Sequence, residues 1–126
     1  MHRKPLRELL ARYLDHRPED HARVAEIRAL VDAHADCFER NCWAGHVTGS
    51  AWVTTPDRRR ALLVHHRKLG RWLQPGGHAD GESLIEQVAL REAREETGLA
   101  DLRLHVAQGG LAPLDVDVHP IPARGA

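Results

Sequence analysis

Glu92, Glu95 and Glu96 lie in a run whose apolar residues recur at helical spacing, and they are the residues of this chain with the clearest chemical potential. At about 100° per residue, Leu84, Ile85, Val88 and Ala89 occupy one arc of the helix, and the three carboxylates fall within the same arc. Solvated acids belong opposite an apolar stripe, where Glu86, Gln87 and Arg94 fall. Like charges crowded beside apolar groups have raised pKa values and cost stability unless a cation compensates. Oxygen donors suit hard divalent ions, Mg2+ above all, and Arg91, one turn before Glu95, is placed to orient or neutralise part of the cluster. The same spacing fits a second reading, in which the glutamates pair with neighbouring arginines at the surface.

The elements around these residues follow from the same kind of reading. Gly76-Gly77-His78-Ala79-Asp80-Gly81 is a glycine-containing loop between a predicted extended piece, 72–74, and the helix, where backbone N–H groups and a helix N-terminus can approach phosphate. Ser83-Leu84-Ile85-Glu86 fits a capping box, and Gly98 stands where a left-handed C-cap is expected after Thr97. Upstream, the stretch 46–55 is rich in Val, Thr and Trp and predicts a strand, turned by Pro56-Asp57 into a second strand over 61–66, a β-hairpin. Downstream, 102–106 predicts another strand and 114–119 alternates strictly, as a half-buried strand does, until Pro120 and Pro122 stop it. The N-terminal part predicts two amphipathic helices, over 5–14 behind Pro5 and from Glu19 to about His34.

Gly77 to Leu99, GHADGESLIEQVALREAREETGL, resembles the Nudix box, whose family pattern is G-x5-E-x7-R-E-U-x-E-E-x-G-U with U aliphatic. Gly77, Arg91, Glu92, Glu95, Glu96, Gly98 and Leu99 match with the family's spacing, and Ala93 is a small occupant of the first U position. Residues 43–123 are also similar to one bacterial branch of the family of mostly unassigned substrate, through His65-His66-Arg67-Lys68, the segment from Trp72 to Gly81, and His119-Pro120-Ile121-Pro122. The resemblance implies an α/β (α+β) fold, an α/β/α sandwich with a mixed sheet. It also implies Mg2+- or Mn2+-dependent hydrolysis of a nucleoside diphosphate linked to another group. By position, Glu92, Glu95 and Glu96 become metal ligands or, for one of them, the base that activates water; the Gly77 carbonyl completes the metal shell and Arg91 holds the glutamates. The cation would neutralise the diphosphate and acidify the attacking water.

The chain departs from the family pattern twice. The first box glutamate falls at Ser83, with Glu82 displaced by one position; either Glu82 or Asp80 orders the loop in its stead, or, the reading favoured by the capping box, Ser83 caps the helix and the arginine-glutamate network is weakened. Family members also continue past His119-Pro120-Ile121-Pro122 with further strand and a closing helix, whereas this chain stops at Ala126, which predicts exposed strand edges and self-association as a homodimer.

Substrate-contact candidates are Gly76, His78, Arg67 and Trp72. Arg67, Lys68 and Arg71 surround Gly70 and suit a phosphate or, equally, a solvated basic turn; Trp52 and Trp72 suit base stacking, but with only 4% aromatic residues each is expected to serve mainly as core. His65 and His66 must face opposite sides of their strand, so one at most looks toward the box. Asp115, Asp117 and His119 share one face of the predicted tail strand, as a second metal or substrate site or as a solvated face.

The chain of 126 residues, 42% hydrophobic and 29% charged, suits one domain, with 1–40 as a helical extension and 43–126 as the core. Eighteen basic residues balance eighteen acidic ones, which argues against nucleic-acid polymer or an anionic membrane as partner. No signal-peptide core or spanning helix is apparent, and a cytoplasmic location is expected. Cys37 and Cys42 read as reduced, partly buried thiols rather than zinc ligands, because no His-x3-5-His spacing follows them. Beside the metal-dependent pyrophosphohydrolase stand two further readings, a catalytically weak nucleotide-binding module and a truncated remnant.

Overall fold

The computed structural model describes residues 2–120; Met1 and the stretch 121–126, which includes Pro122, lie outside the described residues. Helix α1 (Lys4–His16) starts with Pro5 in its first turn, where the missing N–H has no intrahelical partner to lose, and buries Leu6, Leu9, Leu10 and Tyr13 at helical spacing. A 3-10 turn, Pro18–Asp20, reverses the chain into α2 (His21–Ala33), which buries Val24 and Val31. The predicted pair of helices is present, with the acidic start of the second taken up by the turn.

Six short strands follow: β1 (Thr48–Ser50), β2 (Val53–Thr54), β3 (Ala61–Leu62), β4 (Val64–His66), β5 (Arg71–Leu73) and β6 (Gly76–His78), then helix α3 (Ile85–Thr97). They form three antiparallel pairs, β1 with β6, β2 with β3 and β4 with β5. The mixture of helices with small strands is the expected α+β class; among the described residues every ladder is antiparallel. The strand predicted over 46–55 divides in two. β2 makes the expected hairpin with β3, Val53 opposite Leu62, whereas β1 pairs with β6, Gly49 opposite Gly77, and Ala51 N–H prolongs that second pairing by donating to Pro75 O at 2.8 Å. The chain changes partner within a few residues, a switch that strand composition does not encode.

Two further expectations are corrected. The tail over 114–119 is not a strand, and neither is 102–106; among the described residues the only pairing nearby is a single bridge, Ala107 with Gly110. Side chains of the helical pair take the tail's carbonyls instead, Arg12 Nε donating to Leu111 O and Arg23 Nη1 to Val116 O at 3.1 Å. Ser83 does not cap α3: the N-cap is Leu84, no side-chain hydrogen bond closes the box, and Glu82 Oε1 accepts the Leu84 N–H at 2.9 Å. The C-terminal end follows expectation, with Gly98 at φ 73° and its N–H donating to Arg94 O at 2.9 Å.

One apolar cluster runs through these elements. Leu6, Leu10, Tyr13, Val24 and Val31 of the helical pair join Cys37 and Phe38 of the crossover, Ala79 of the glycine loop and Val88 of α3. The helices at the N-terminus therefore support the loop and helix that carry the glutamates. Trp52 and Trp72, expected as core, stand 54% and 66% exposed, since the two-stranded hairpins are too small to enclose an indole.

Leu10 is 2% exposed at the centre of this cluster. Leu10→Ala should lower stability by about 2–5 kcal/mol in a single thermal transition followed by far-ultraviolet circular dichroism; an unchanged midpoint would show that α1 is not part of the common core.

Candidate functional site

β1, β6 and α3 meet with almost no side chains between them. A Cβ on Gly49 would lie 3.0 Å from Ile85 O and 3.2 Å from Ala89 N, and one on Gly76 would lie 2.4 Å from Ser50 Cβ. The first is tighter than most side-chain contacts, so β1 lies close on the helix at Gly49; the second is closer than side-chain carbons are found, so β1 and β6 lie directly against each other at Gly76. Gly77 completes the arrangement on the charged side. A Cβ there would fall 2.6 Å from Glu92 Cδ and 2.8 and 2.9 Å from its two oxygens, which means that the Glu92 carboxylate fills the space of the absent side chain.

Glu96, one turn further along α3, is exposed as a residue, yet its carboxyl lies against β6. Partial desolvation there raises its pKa above the usual carboxylate range, the charge of Glu92 adds to this and that of Glu95 adds less; a backbone N–H from Gly76 and the nearby His66 imidazole act in the opposite direction. Glu92 is half-buried and Glu95 exposed. Arg91 Nη2 donates to His78 O at 3.2 Å and stands 3.5 Å from Glu92 Oε1, so one guanidinium links the glycine loop to a box carboxylate.

The structure thus gathers Gly76, Gly77, His78, Arg91, Glu92 and Glu96, with Glu95 at the outer edge of the group. Asp80 is turned elsewhere: it holds φ 47° and accepts both Nε and Nη2 of Arg40, at 3.0 and 2.9 Å, an interaction that lowers its pKa. Glu82 orders the turn into α3. Arg67 is exposed in the turn between β4 and β5, and Trp72 packs beside His65 with ring centroids 4.9 Å apart. Asp117 and His119 follow Val116, which packs on the core cluster beside the N-terminal helices. Glu86, expected to be solvated, is half-buried, and its Oε2 is enclosed with no partner among the described residues.

His66 lies near enough to Glu96 to act on its charge, where strand alternation allowed at most one of His65 and His66 to look toward the box. His46 was not singled out by sequence. His46 Nε2 lies 3.1 Å from His78 Nδ1, and its pKa is lowered, chiefly by burial and then by His78 and Arg40. Both imidazoles line an open cleft with Arg40, Asn41 and Trp43, an indole that is 90% exposed.

Residues 45–115 match the family model described as NUDIX domain, a range that contains all six strands and α3 and leaves α1 and α2 outside. Two relatives from Mycobacterium tuberculosis, strains CDC 1551 / Oshkosh and ATCC 25618 / H37Rv, are each 45% identical over 56 residues, and both bear the name "Putative 8-oxo-dGTP diphosphatase 3". The alignment covers 40% of this chain and 26% of the relative, so the chain spans about a quarter of the length of the curated relatives it matches.

The site geometry gives two tests on stability. Glu82→Ala frees the Leu84 N–H and should cost about 1 kcal/mol in a urea melt, whereas Ser83→Ala, at a position with no capping bond, should be close to neutral. Because the Glu96 carboxyl has a raised pKa in the folded chain, metal-free protein should lose stability as pH rises through the carboxylate range, from the unfolded value up through the folded one. Glu96→Gln should then melt at or above the wild-type temperature at neutral pH in chelator, and a lower midpoint would show that the ionised carboxylate is stabilising.

Proposed function

The chain belongs to the Nudix family, and on that premise we propose that it is a metal-dependent pyrophosphohydrolase acting on a nucleoside diphosphate linked to another group. The observation that carries this reading is the Glu92 carboxylate seated in the space left by Gly77, with Glu96 beside it at raised pKa. The donors fit a hard cation: they are oxygens, they are anionic, and their mutual repulsion is what a dication would relieve. Glu92 and Glu96 would hold the ion, with the Gly77 carbonyl and Glu95 completing its shell as the side chains draw in. Mg2+ is the proposed ion, with Mn2+ as a substitute. A dication held there supplies neutralisation of the phosphate oxygens and electrophilic assistance to attack on phosphorus.

This chain's own residues do the rest. Arg91, joined to the His78 carbonyl and close to Glu92, keeps the loop and the carboxylates in register. Glu96, which lies against β6 beside Glu92, would accept the proton of the attacking water through an oxygen that the ion does not engage. As water adds to phosphorus, the bond to the bridging oxygen breaks and the leaving phosphate departs with that oxygen. The cleft beside the loop, with Trp43, Arg40, His46 and His78, offers an exposed aromatic face and cationic or hydrogen-bonding side chains to a nucleotide. The name borne by the mycobacterial relatives makes an oxidised purine nucleoside triphosphate the first substrate to try. We read the chain as a single domain in the cytoplasm that acts as a monomer or homodimer on small molecules; no helix among the described residues is long and apolar enough to cross a membrane.

Ser83 at the first box glutamate position favours one competing reading, a module that holds nucleotide without turnover. A single assay separates the two. Release of nucleoside monophosphate or phosphate from a panel of nucleoside triphosphates, 8-oxo-dGTP, dinucleoside polyphosphates, ADP-ribose and nucleotide sugars should require Mg2+ and fall by roughly 10^2–10^4-fold in Glu96→Gln. Turnover that survives that substitution would overturn the assignment; stabilisation by nucleotide without product would establish the binding module.

A further inference from the structure

At the C-terminal end of α2 and in the segment that follows it, His34, Asp36 and Cys42 bring a ring nitrogen, a carboxylate oxygen and a sulfur within 4.8 Å of one another. Among the described residues this is the one His/Cys/Asp/Glu trio that is so closely grouped; the box glutamates are more widely spaced. We propose that His34, Asp36 and Cys42 form a site for a borderline-soft divalent metal, Zn2+ by the character of its donors, distinct from the glutamate site and fastening the end of α2 to the crossover segment that follows.

The donor set decides the ion. A thiolate and an imidazole select Zn2+ over Mg2+ or Ca2+, which take oxygen. Tetrahedral zinc with bonds of about 2.0–2.3 Å places its ligand atoms roughly 3.3–3.8 Å apart, so the trio needs to contract by no more than an ångström or so, and Asp36, being exposed, has the freedom to move. The backbone fixes the segment that carries all three side chains: Cys37 N–H donates to His34 O at 3.2 Å and Gly45 N–H to Cys42 O at 3.2 Å. On binding, the thiol proton leaves for solvent and the metal takes its place between sulfur and carboxylate. His34 makes an edge-on contact with the Trp43 indole, ring centroids 6.0 Å apart at 85°. Cys42 also borders the open cleft, which gives water access to a fourth coordination position.

Other uses of these residues account for less. A nucleophilic cysteine requires a lowered pKa, and that of Cys42 is raised; a disulfide with Cys37 is not formed, since both thiols are free. The spacing runs His34-x-Asp36-x5-Cys42, with a carboxylate in the position of a second histidine, and for this reason a search for paired histidines passes over it.

The test uses the full chain without a histidine tag, titrated with Co2+ in excess Mg2+, with thiolate-to-cobalt charge-transfer absorption as the readout. A single equivalent should bind, give that absorption and be displaced by Zn2+. The absorption should persist in a Glu92→Gln, Glu96→Gln double variant, disappear in Cys42→Ser, and weaken by at least about tenfold in affinity in His34→Asn, whose half-exposed site tolerates the change. No absorption from wild-type protein shown by circular dichroism to be folded would overturn the proposal, as would undiminished binding in His34→Asn or in Cys42→Ser. Loss of the signal in the double glutamate variant alone would assign the ion to the box instead and overturn it equally.

Discussion

The whole site depends on how closely a strand can lie on a helix. Gly49 lets β1 lie on α3, where a Cβ would meet Ile85 O at 3.0 Å, Gly76 lets β1 and β6 lie against each other, and the space saved at Gly77 is taken by the Glu92 carboxylate. A larger residue at Gly49 would press on the helix, one at Gly76 would push the two strands apart, and one at Gly77 would drive the carboxylate outward. The contact is also what a three-residue ladder needs to persist, because β1 and β6 alone bury too little to be stable, whereas resting on α3 they share its Val88 and Ala89. Behind α3 the same buried face continues through Ala79 and Phe38 to the N-terminal helices, so the charged site is backed by the main apolar core.

Charge is then arranged on a backbone that has little freedom to move. Glu92 and Glu96, one turn apart, meet over the Gly76–His78 strand and repel each other, and Arg91 relieves only part of that repulsion because it is shared with the His78 carbonyl. The loop between strand and helix is held by separate pairs, Arg40 with Asp80 and Glu82 with the Leu84 N–H. The acids of the loop are therefore satisfied by protein partners, and those of the helix are the ones left with charge to neutralise. Under the proposed function, this division is the reason for placing the cation with Glu92 and Glu96 rather than with Asp80 or Glu82.

Helix positions were legible in the sequence because burial on one side writes a 3.6-residue period, and Gly98 because a left-handed cap favours glycine; the glutamate arc was legible only in part, since Glu92 is half-buried while Glu95 and Glu96 are exposed. Strand partners were not. Ladders of two or three residues carry too few side chains to specify register, and the change from the β6 partner to the β3 partner occurs between Ser50 and Val53, within one run of uniform strand character. The cap was misplaced by a choice between neighbours: Ser83 and Glu82 both offer an oxygen, and the start of the helix at Ile85 gives the bond to Glu82. The tail alternated as a strand does, but alternation cannot reveal that arginines on distant helices would take its carbonyls. The cysteines were read by spacing, which tests only for familiar ligand patterns, and the neighbours of Cys42 become visible only when α2 and the crossover are folded together.

The central claim is that the Glu92 and Glu96 carboxylates, set against the glycine strand, are the cation site. Anomalous diffraction from crystals soaked in Mn2+ tests it most directly. The account predicts a peak within bonding distance of oxygens from both Glu92 and Glu96, next to the Gly77 backbone. A peak held by Glu95 or other exposed acids, with Glu92 still paired only to Arg91 and the loop, would contradict it.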